Sequence, residues 1–265
     1  MFLTGGKTMQ HEHGFISETD YRNHSAISRS QVWRMITKSP AHALIPTPAT
    51  NAMELGTAIH QALLEPHKFT ETFLCGPDNR RGNKWKDAVA EAEANNQLIL
   101  TAPDYEKVER ITDAVLSNSL ARSMILSNSA VKEYSSFFKH EHTGLQCKAR
   151  FDVFDESAGT IIDLKTTADA SKDAFSRSCA NYGYHLQAAW YLMAHEKAHQ
   201  FVFIAVEREE PYAISFYELD ENSLADGESL MRKGLEQWKE CVELDHWPTY
   251  PQKLQEISIP HWARS

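Results

Sequence analysis

Three consecutive stretches with the alternating pattern of β-strands lie in the middle of the chain, over residues 133–140, 145–155 and 160–166. Short turns at Thr143-Gly144 and Ala158-Gly159 join them. Helical patterns come before this block. After it follow helices over 171–179 and 184–197, strands over 201–207 and 212–219, and a long helix over 220–244. This order predicts an α/β fold with a central mixed sheet flanked by helices.

The first half of the chain carries mainly helical patterns. Residues 31–36 follow Ser28-Arg29-Ser30, which is typical of a helix start, and Ser39-Pro40 closes this segment. Residues 52–65 predict a helix that ends before Pro66, with an apolar stripe formed by Leu55, Ile59, Ala62 and Leu63. Further helices are predicted over 84–94 and 103–126, with loops around Pro46 and Pro48 and over 78–83.

The length of 265 residues suits one large domain or two small ones, and 42% hydrophobic residues suffice for a core. We predict a flexible N-terminal extension over residues 1–24, with Met9 as an alternative start, and a single domain over 25–265. Pro248, Pro251 and Pro260 indicate that the domain ends in an extended tail.

The net charge of −9 excludes a globally basic nucleic-acid binder but not a local basic track. The longest wholly apolar run, residues 201–206, is far shorter than the roughly 18 residues of a membrane helix. Because Met1–Gly14 lacks a long apolar stretch, we expect a cytoplasmic protein. The four cysteines are scattered without a Cys-x-x-Cys pair, so they do not indicate a disulfide framework.

Charged side chains converge on the three central strands. Asp163 and Lys165 share one face of the third strand, because strand side chains alternate. On the second strand Asp152 shares a face with Lys148 and Arg150. The opposite face is predicted to carry Cys147, Ala149, Phe151 and Val153. If the two strands pair as a hairpin, Asp152 approaches Asp163.

Glu133 on the first strand adds a third carboxylate to this group. Like charges a few Å apart repel, and the repulsion grows as water is excluded. Mg²⁺ or Mn²⁺ would resolve it, since these ions prefer carboxylate oxygens. Lys165 could then orient or deprotonate a water molecule. An Asp-x-Lys sequence alone is not specific, and the alternative is a solvated Asp–Lys pair on a surface strand.

Five ordered motifs resemble those of RecB-type nucleases of the PD-(D/E)xK superfamily, most closely the nuclease domains of the RecE (exonuclease VIII) family. They lie at residues 55–66, at 151–152 together with 163–167, at 184–191, and in the segments 79–81 and 259–263. Phe151 stands where the superfamily pattern has proline, and the chain lacks the cysteine set that binds an iron–sulfur cluster in some relatives.

The resemblance implies a restriction-endonuclease-like core and a Mg²⁺-dependent exodeoxyribonuclease, with Mn²⁺ as a substitute and one or two ions per active site. It implies degradation of linear duplex DNA from 5′ ends, which leaves 3′ single strands for a strand-annealing partner of the RecT type. It further implies a ring-shaped homo-oligomer and a bacterial or phage origin. The alternatives are a structure-specific endonuclease of the same superfamily and an inactive DNA-binding or scaffold module.

The same resemblance assigns roles to individual residues. Lys165 is the predicted catalytic lysine, and Gln187 and Tyr191, one helical turn apart, are expected to hold the attacking water or the scissile phosphate. The predicted metal ligands are Asp152, Asp163, Glu133, His60 and the backbone carbonyl of Leu164. The predicted DNA contacts are Arg80, Arg81, Lys148, Arg150 and Tyr184. Ser28 and Ser30 are added because they open a helix, where free N–H groups and the helix dipole favour an anion such as a DNA 5′-phosphate. Ordinary helix capping by Ser28 and Ser30, and a solvated role for each basic residue, are the alternatives.

Overall fold

A computed structural model describes residues 11–46 and 51–264 of the chain. Its main sheet has seven strands, of which six follow the order β1-β5-β6-β7-β8-β9 while β2 pairs with β6. These strands are β1 (His11–Gly14), β2 (Ile27–Ser28), β5 (Ala130–Lys139), β6 (Gln146–Asp155), β7 (Thr160–Thr167), β8 (Gln200–Glu207) and β9 (Ile214–Tyr217). A separate parallel pair is formed by β3 (Phe73–Cys75) and β4 (Leu98–Leu100).

Helices cover both faces of the sheet. They are α1 (Glu18–Asn23), α2 (Arg29–Thr37), α3 (Pro40–Ala43), α4 (Asn51–Leu64), α5 (Pro66–Thr72), α6 (Gly82–Ala94), α7 (Ala102–Ser117), α8 (Ser119–Ile125), α9 (Lys172–Tyr182), α10 (Tyr184–Met193) and α11 (Glu221–Leu244). After α11 the described chain has no regular element until a short 3₁₀ turn at His261–Ala263.

The sheet is mixed, because β7 and β8 run parallel whereas β5, β6 and β7 form an antiparallel meander. Each face carries its own apolar core. One core packs α2, α10 and α11 against the sheet around Phe138, Trp190 and Phe203. The other packs α4 and α7 around Ile59 and Ile111. The predicted fold class, a central mixed sheet flanked by helices, is confirmed.

β6 and β7 separate in the middle of the sheet. They pair only from Val153–Ile162 to Asp155–Thr160, and β2 instead occupies this edge of β6 at Cys147 and Lys148. The next residues beyond the last pair are Asp152 and Asp163. The two predicted aspartates therefore flank a gap between neighbouring strands, where side chains rather than backbone groups must satisfy the open strand edges.

The alternation of side chains changes at this gap. Phe151 and Phe154 both pack in the core under α10, whereas Val153 packs in the core under α4. The prediction that Val153 shares a face with Phe151 is therefore wrong. The neighbouring strand is distorted at the same level, because Glu133 opposite Asp152 has a φ of 51°, in the left-handed region. The sequence pattern of alternating side chains cannot reveal such a change of backbone conformation.

Residues 11–24, predicted to belong to a flexible extension, are folded onto the sheet. β1 pairs with β5 along its whole length, and α1 begins after Ser17, whose side chain accepts a hydrogen bond from the Asp20 amide. The predicted boundary at residue 24 is therefore wrong for this part. The segment was missed because two elements this short carry little periodicity. The rest of the predicted extension, including Met9, lies outside the described residues, as does Pro48.

The helix predicted over 103–126 is two helices. Asn118 ends α7, and its side chain accepts hydrogen bonds from the amides of Leu120 and Ala121 at the start of α8. An asparagine favours this capping geometry over a helix interior. In the part of the chain that the structure describes, every helix is too short or too polar to cross a lipid bilayer.

Gly183 connects α9 to α10 with a φ of 67°, and a Cβ atom there would lie 2.5 Å from the Trp33 ring. Replacing Gly183 with alanine is expected to lower the free energy of unfolding by about 3 kcal/mol, because backbone strain and a steric clash act together. Gly144→Ala is the matched control, since Gly144 has a φ of 71° but its nearest neighbour lies 3.6 Å away. Gly144→Ala should lower the free energy of unfolding by only about 1 kcal/mol. Urea denaturation measures both, and equal losses would contradict the predicted clash.

Candidate active site

Asp163 is the most buried ionisable group of the gap, with 1% of its surface exposed. Its Oδ1 accepts a hydrogen bond of 2.6 Å from Nε2 of Gln187 on α10. Its Oδ2 contacts the ammonium group of Lys165 without the geometry of a hydrogen bond. Burial raises the pKa of Asp163 against the opposing effect of Lys165, and the charge of Asp152 raises it further. Asp163 is thus a buried carboxylate with one oxygen incompletely satisfied.

Lys165 lies two residues further along β7, on the same face as Asp163, as predicted. Its Nζ forms the ion pair with Asp163 and stands 4.8 Å from the centre of the Tyr184 ring. A cation over an aromatic face is held by electrostatic attraction. The ammonium group of Lys165 is therefore fixed between a carboxylate and a ring.

Asp152 closes the open edge of β7. Its Oδ2 accepts a hydrogen bond of 2.8 Å from the Leu164 amide and lies 3.4 Å from Nδ1 of His60 on α4. Burial disfavours the charged forms of both His60 and Asp152. The attraction between the two side chains outweighs this effect, so the pKa of His60 is raised and that of Asp152 is lowered. Because the amide and the carbonyl of one strand residue point to the same edge, the Leu164 carbonyl also points into the gap.

Glu133 completes the group of carboxylates from the side of β5. Its pKa is raised to about 7, first by burial and second by the charge of Asp152. His60 and Lys165 each influence the pKa of both aspartates, which places the charges of α4, β6 and β7 in one electrostatic cluster. The structure thus brings together Glu133, Asp152, Asp163, His60 and Lys165.

Arg29 is a site residue that sequence reasoning missed. Its Nη2 donates a hydrogen bond of 2.7 Å to Oε1 of Gln187, whose amide nitrogen in turn donates to Asp163. Burial lowers the pKa of Arg29, whereas Tyr191 and Asp163 oppose this shift. The relay from Arg29 through Gln187 fixes the orientation of the Gln187 amide. The only sequence signal was an arginine within the Ser28-Arg29-Ser30 segment that precedes the predicted helix.

Tyr191 lies one turn after Gln187 on α10 and is half-buried. Its ring packs against Phe151 at 5.4 Å and against Phe201 at 5.9 Å. Burial raises the pKa of its hydroxyl well above the ordinary value, and the charges of Tyr21 and Asp163 add to this effect. Tyr191 therefore packs in the core and borders the site.

Two of the predicted DNA contacts hold the N-terminal segment instead. Lys148 is 5% exposed, and its ammonium group donates to the carbonyls of Tyr21, Arg22 and His24. Arg150 donates to the carbonyls of Ile16 and Ser17 and to the Ser135 hydroxyl. The prediction that they line a phosphate track is corrected: both do share the face of Asp152, but residues 16–24 cover that face.

The other predicted DNA contacts lie on the surface around the site. Arg80 forms an ion pair of 3.4 Å with Glu54 on α4. Glu54 lies six residues before His60, or about 9 Å along the helix. Arg81 is exposed. Ser28 precedes α2, and its amide and hydroxyl both donate to Oε1 of Gln31. The hydroxyls of Ser28 and Ser30 are 3.1 Å apart. The helix start is as predicted, and Arg29 connects it to the active-site cluster.

The donors at the gap fit a divalent metal ion by their chemistry. Hard oxygen donors come from Asp152, Asp163, Glu133 and the Leu164 carbonyl, and one oxygen of Asp163 is buried without a hydrogen bond. Among the described residues these side chains do not yet bring three ligand atoms within 4.8 Å of one another. The carboxylates of Asp152 and Asp163 are instead turned to His60, Gln187 and Lys165.

In the part of the chain that the structure describes, a different group has ligand atoms within 4.8 Å of one another: His13, His195 and Glu196. His13 on β1 contacts Glu196 at 3.0 Å and stacks on the His195 ring at 4.1 Å. However, Nδ1 of His195 already accepts a hydrogen bond of 3.2 Å from the Lys197 amide. The cluster therefore fastens β1 to the end of α10 in this structure.

Comparison with known proteins gives one family. The profile of a family described as a PDDEXK-like domain of unknown function (DUF3799) matches residues 33–258. Curated protein sequences contain no match to the chain.

Two of the solved structures that match the chain are exonucleases by name. A proposed exonuclease from Eubacterium rectale is 13% identical, with a TM-score of 0.64 over 93% of this chain and 97% of that one. A phage-related exonuclease from Haemophilus somnus is also 13% identical, over 86% of this chain and 99% of that one, but its TM-score of 0.36 is too low to indicate a common fold. At this identity the first likeness establishes the fold.

Proposed function

Because the chain belongs to the family of PDDEXK-like domains of unknown function, DUF3799, we propose that it is a metal-dependent nuclease whose active site is the gap between β6 and β7. The observation that carries the proposal is the buried Asp163, held between Gln187 and Lys165 beside an Asp152 that bonds to His60 and the Leu164 amide. A module that only binds DNA gains nothing from burying carboxylates at this cost.

The residues of the chain have separate tasks in this proposal. Asp152, Asp163 and the Leu164 carbonyl bind the ion, with His60 and Glu133 as further donors. A bound Mg²⁺ or Mn²⁺ would lower the pKa of a coordinated water and offset negative charge on the phosphate. Lys165 orients the attacking water and donates hydrogen bonds to the phosphate oxygens. Gln187, fixed by Arg29, holds Asp163 in the orientation that binding requires.

The resemblance to the RecE family supports a narrower proposal. The preferred substrate is linear duplex DNA, digested from the 5′ end by a Mg²⁺-dependent reaction that leaves a 3′ single strand. A strand-annealing protein of the RecT type would take up that strand, and several copies of the chain would enclose the duplex in a ring. A structure-specific endonuclease is the alternative that the test must separate.

The test compares linear duplex, labelled at its 5′ or its 3′ ends, with a covalently closed circle of the same sequence. We expect the linear duplex to be degraded with Mg²⁺, with early release of the 5′ label, and no degradation when EDTA removes the metal. The circle should remain intact, because it offers no end. Cutting of the circle at a similar rate would favour an endonuclease. A folded protein that binds but never cuts DNA would contradict the proposed function.

A further inference from the structure

A cavity of about 300 Å³ opens beside Lys165 at the end of β7. Its wall includes Lys165, Thr167, Tyr182, Tyr184 and Arg208. The Arg208 amide donates a hydrogen bond of 3.0 Å to the Thr167 carbonyl, so the cavity runs from the lysine to the turn that follows β8. Its volume is at the lower end of the range for ligand sites, which leaves space for one small ligand and excludes a duplex.

The aromatic wall of this cavity is partly free of the core. Tyr184 packs against Phe203 at 5.8 Å and against Phe175 at 5.9 Å, so one part of its surface is structural. Tyr182, the last residue of α9, is 59% exposed, and its ring centre lies 5.7 Å from that of Tyr184. An exposed ring beside a catalytic lysine is a platform on which a planar group can stack, and nucleobases of every kind offer such a group.

The cationic wall is Arg208. Its side chain forms no hydrogen bond or ion pair with any residue that the structure describes, while the adjacent Glu209 is paired with Lys107 at 2.8 Å. A guanidinium group presents several donors in a plane and binds phosphate oxygens at two points. Arg208 thus supplies the cavity with positive charge that no protein carboxylate neutralises through an ion pair.

We propose that this cavity binds one nucleotide of the DNA strand being cleaved, with its base stacked on Tyr182 and Tyr184 and its phosphate bound by Arg208. The inference rests on the proposed nuclease function, because it places that nucleotide next to the phosphate at Lys165. The cavity holds a single unpaired nucleotide, so the strand must separate from its complement before it enters.

The experiment measures binding of deoxyadenosine 5′-monophosphate, deoxyadenosine and inorganic phosphate by titration calorimetry in EDTA, so that neither metal nor hydrolysis contributes. Tyr182→Ala is expected to weaken both adenine compounds about tenfold, and Tyr182→Phe to leave them unchanged, because stacking needs only the ring. Arg208→Ala should weaken the monophosphate about tenfold but not the nucleoside. Matched controls are Tyr250→Ala, which removes a tyrosine of similar exposure, and Arg122→Ala on α8.

Either of two results would contradict nucleotide binding in the cavity. One is no binding of the monophosphate to the wild-type protein, and the other is equal binding to the wild type and to the Tyr182 and Arg208 variants. The failure of this inference is distinguishable from failure of the proposed function. A wild type that binds the monophosphate in EDTA but degrades no DNA with Mg²⁺ contradicts the nuclease function and leaves the cavity only as a nucleotide-binding site. A wild type that degrades DNA but does not bind the monophosphate contradicts only the cavity.

Discussion

Replacing Lys165 with alanine is expected to reduce hydrolysis of linear duplex DNA by about 10³-fold, within the range lost with a group that transfers or orients a proton. The ammonium group is fixed by Asp163 and the Tyr184 ring, so no other cation can take its place without rearrangement. Lys165→Arg should also fail, because the planar guanidinium group does not fit a site built for a point charge. Single-turnover cleavage rates measure both effects.

Loss of Lys165 also leaves a buried carboxylate without its ion pair, so activity could fall because the protein unfolds. Thermal unfolding of each variant separates the two causes. Lys172→Ala, which removes an exposed lysine at the start of α9, is the matched control and should cleave at the wild-type rate. Added methylamine should partly restore cleavage by folded Lys165→Ala. A folded Lys165→Ala variant that cleaves as fast as wild type would contradict the assigned role.

The residues of the candidate site that could be predicted are those placed by local periodicity. Alternation along a strand puts Asp163 and Lys165 on one face, and they form an ion pair. A hairpin between two strands puts Asp152 level with Asp163, and the two lie at the gap between β6 and β7. Each of these inferences needs only the geometry of one element or of two consecutive ones.

The parts that could not be predicted depend on segments distant in sequence. Lys148 and Arg150 share the face of Asp152, yet residues 16–24 cover them, and nothing near either residue in the sequence indicates such a cover. Arg29 reaches Gln187, which lies 158 positions later. Whether a basic side chain binds DNA or holds the chain together is decided by what packs over it, and that is a property of the tertiary structure.

Asp163→Asn tests whether the carboxylate binds an ion. An ion that binds only the folded protein stabilises it by RT ln(1 + [L]/Kd), about 2.7 kcal/mol at a concentration one hundred times Kd. Wild-type protein should therefore unfold at a higher temperature with Mn²⁺ or Mg²⁺ than with EDTA. The amide cannot supply an anionic ligand, so Asp163→Asn should lose most of this shift and cleave DNA at least about 10³-fold more slowly. Asp226→Asn, which replaces an exposed aspartate on α11, should keep both.

The test must also distinguish two sites, because the cluster of His13, His195 and Glu196 contains potential metal ligands as well. A metal-induced shift that persists in Asp163→Asn but disappears in His13→Ala would place the stabilising ion at β1 and contradict the assigned active site. The opposite pattern would place it in the gap between β6 and β7. Burial already raises the pKa of Asp163, so its charge is costly in the metal-free fold. The amide variant also leaves Lys165 without its ion-pair partner, so thermal unfolding in EDTA must show that it is folded before its loss of cleavage is assigned to the missing ligand.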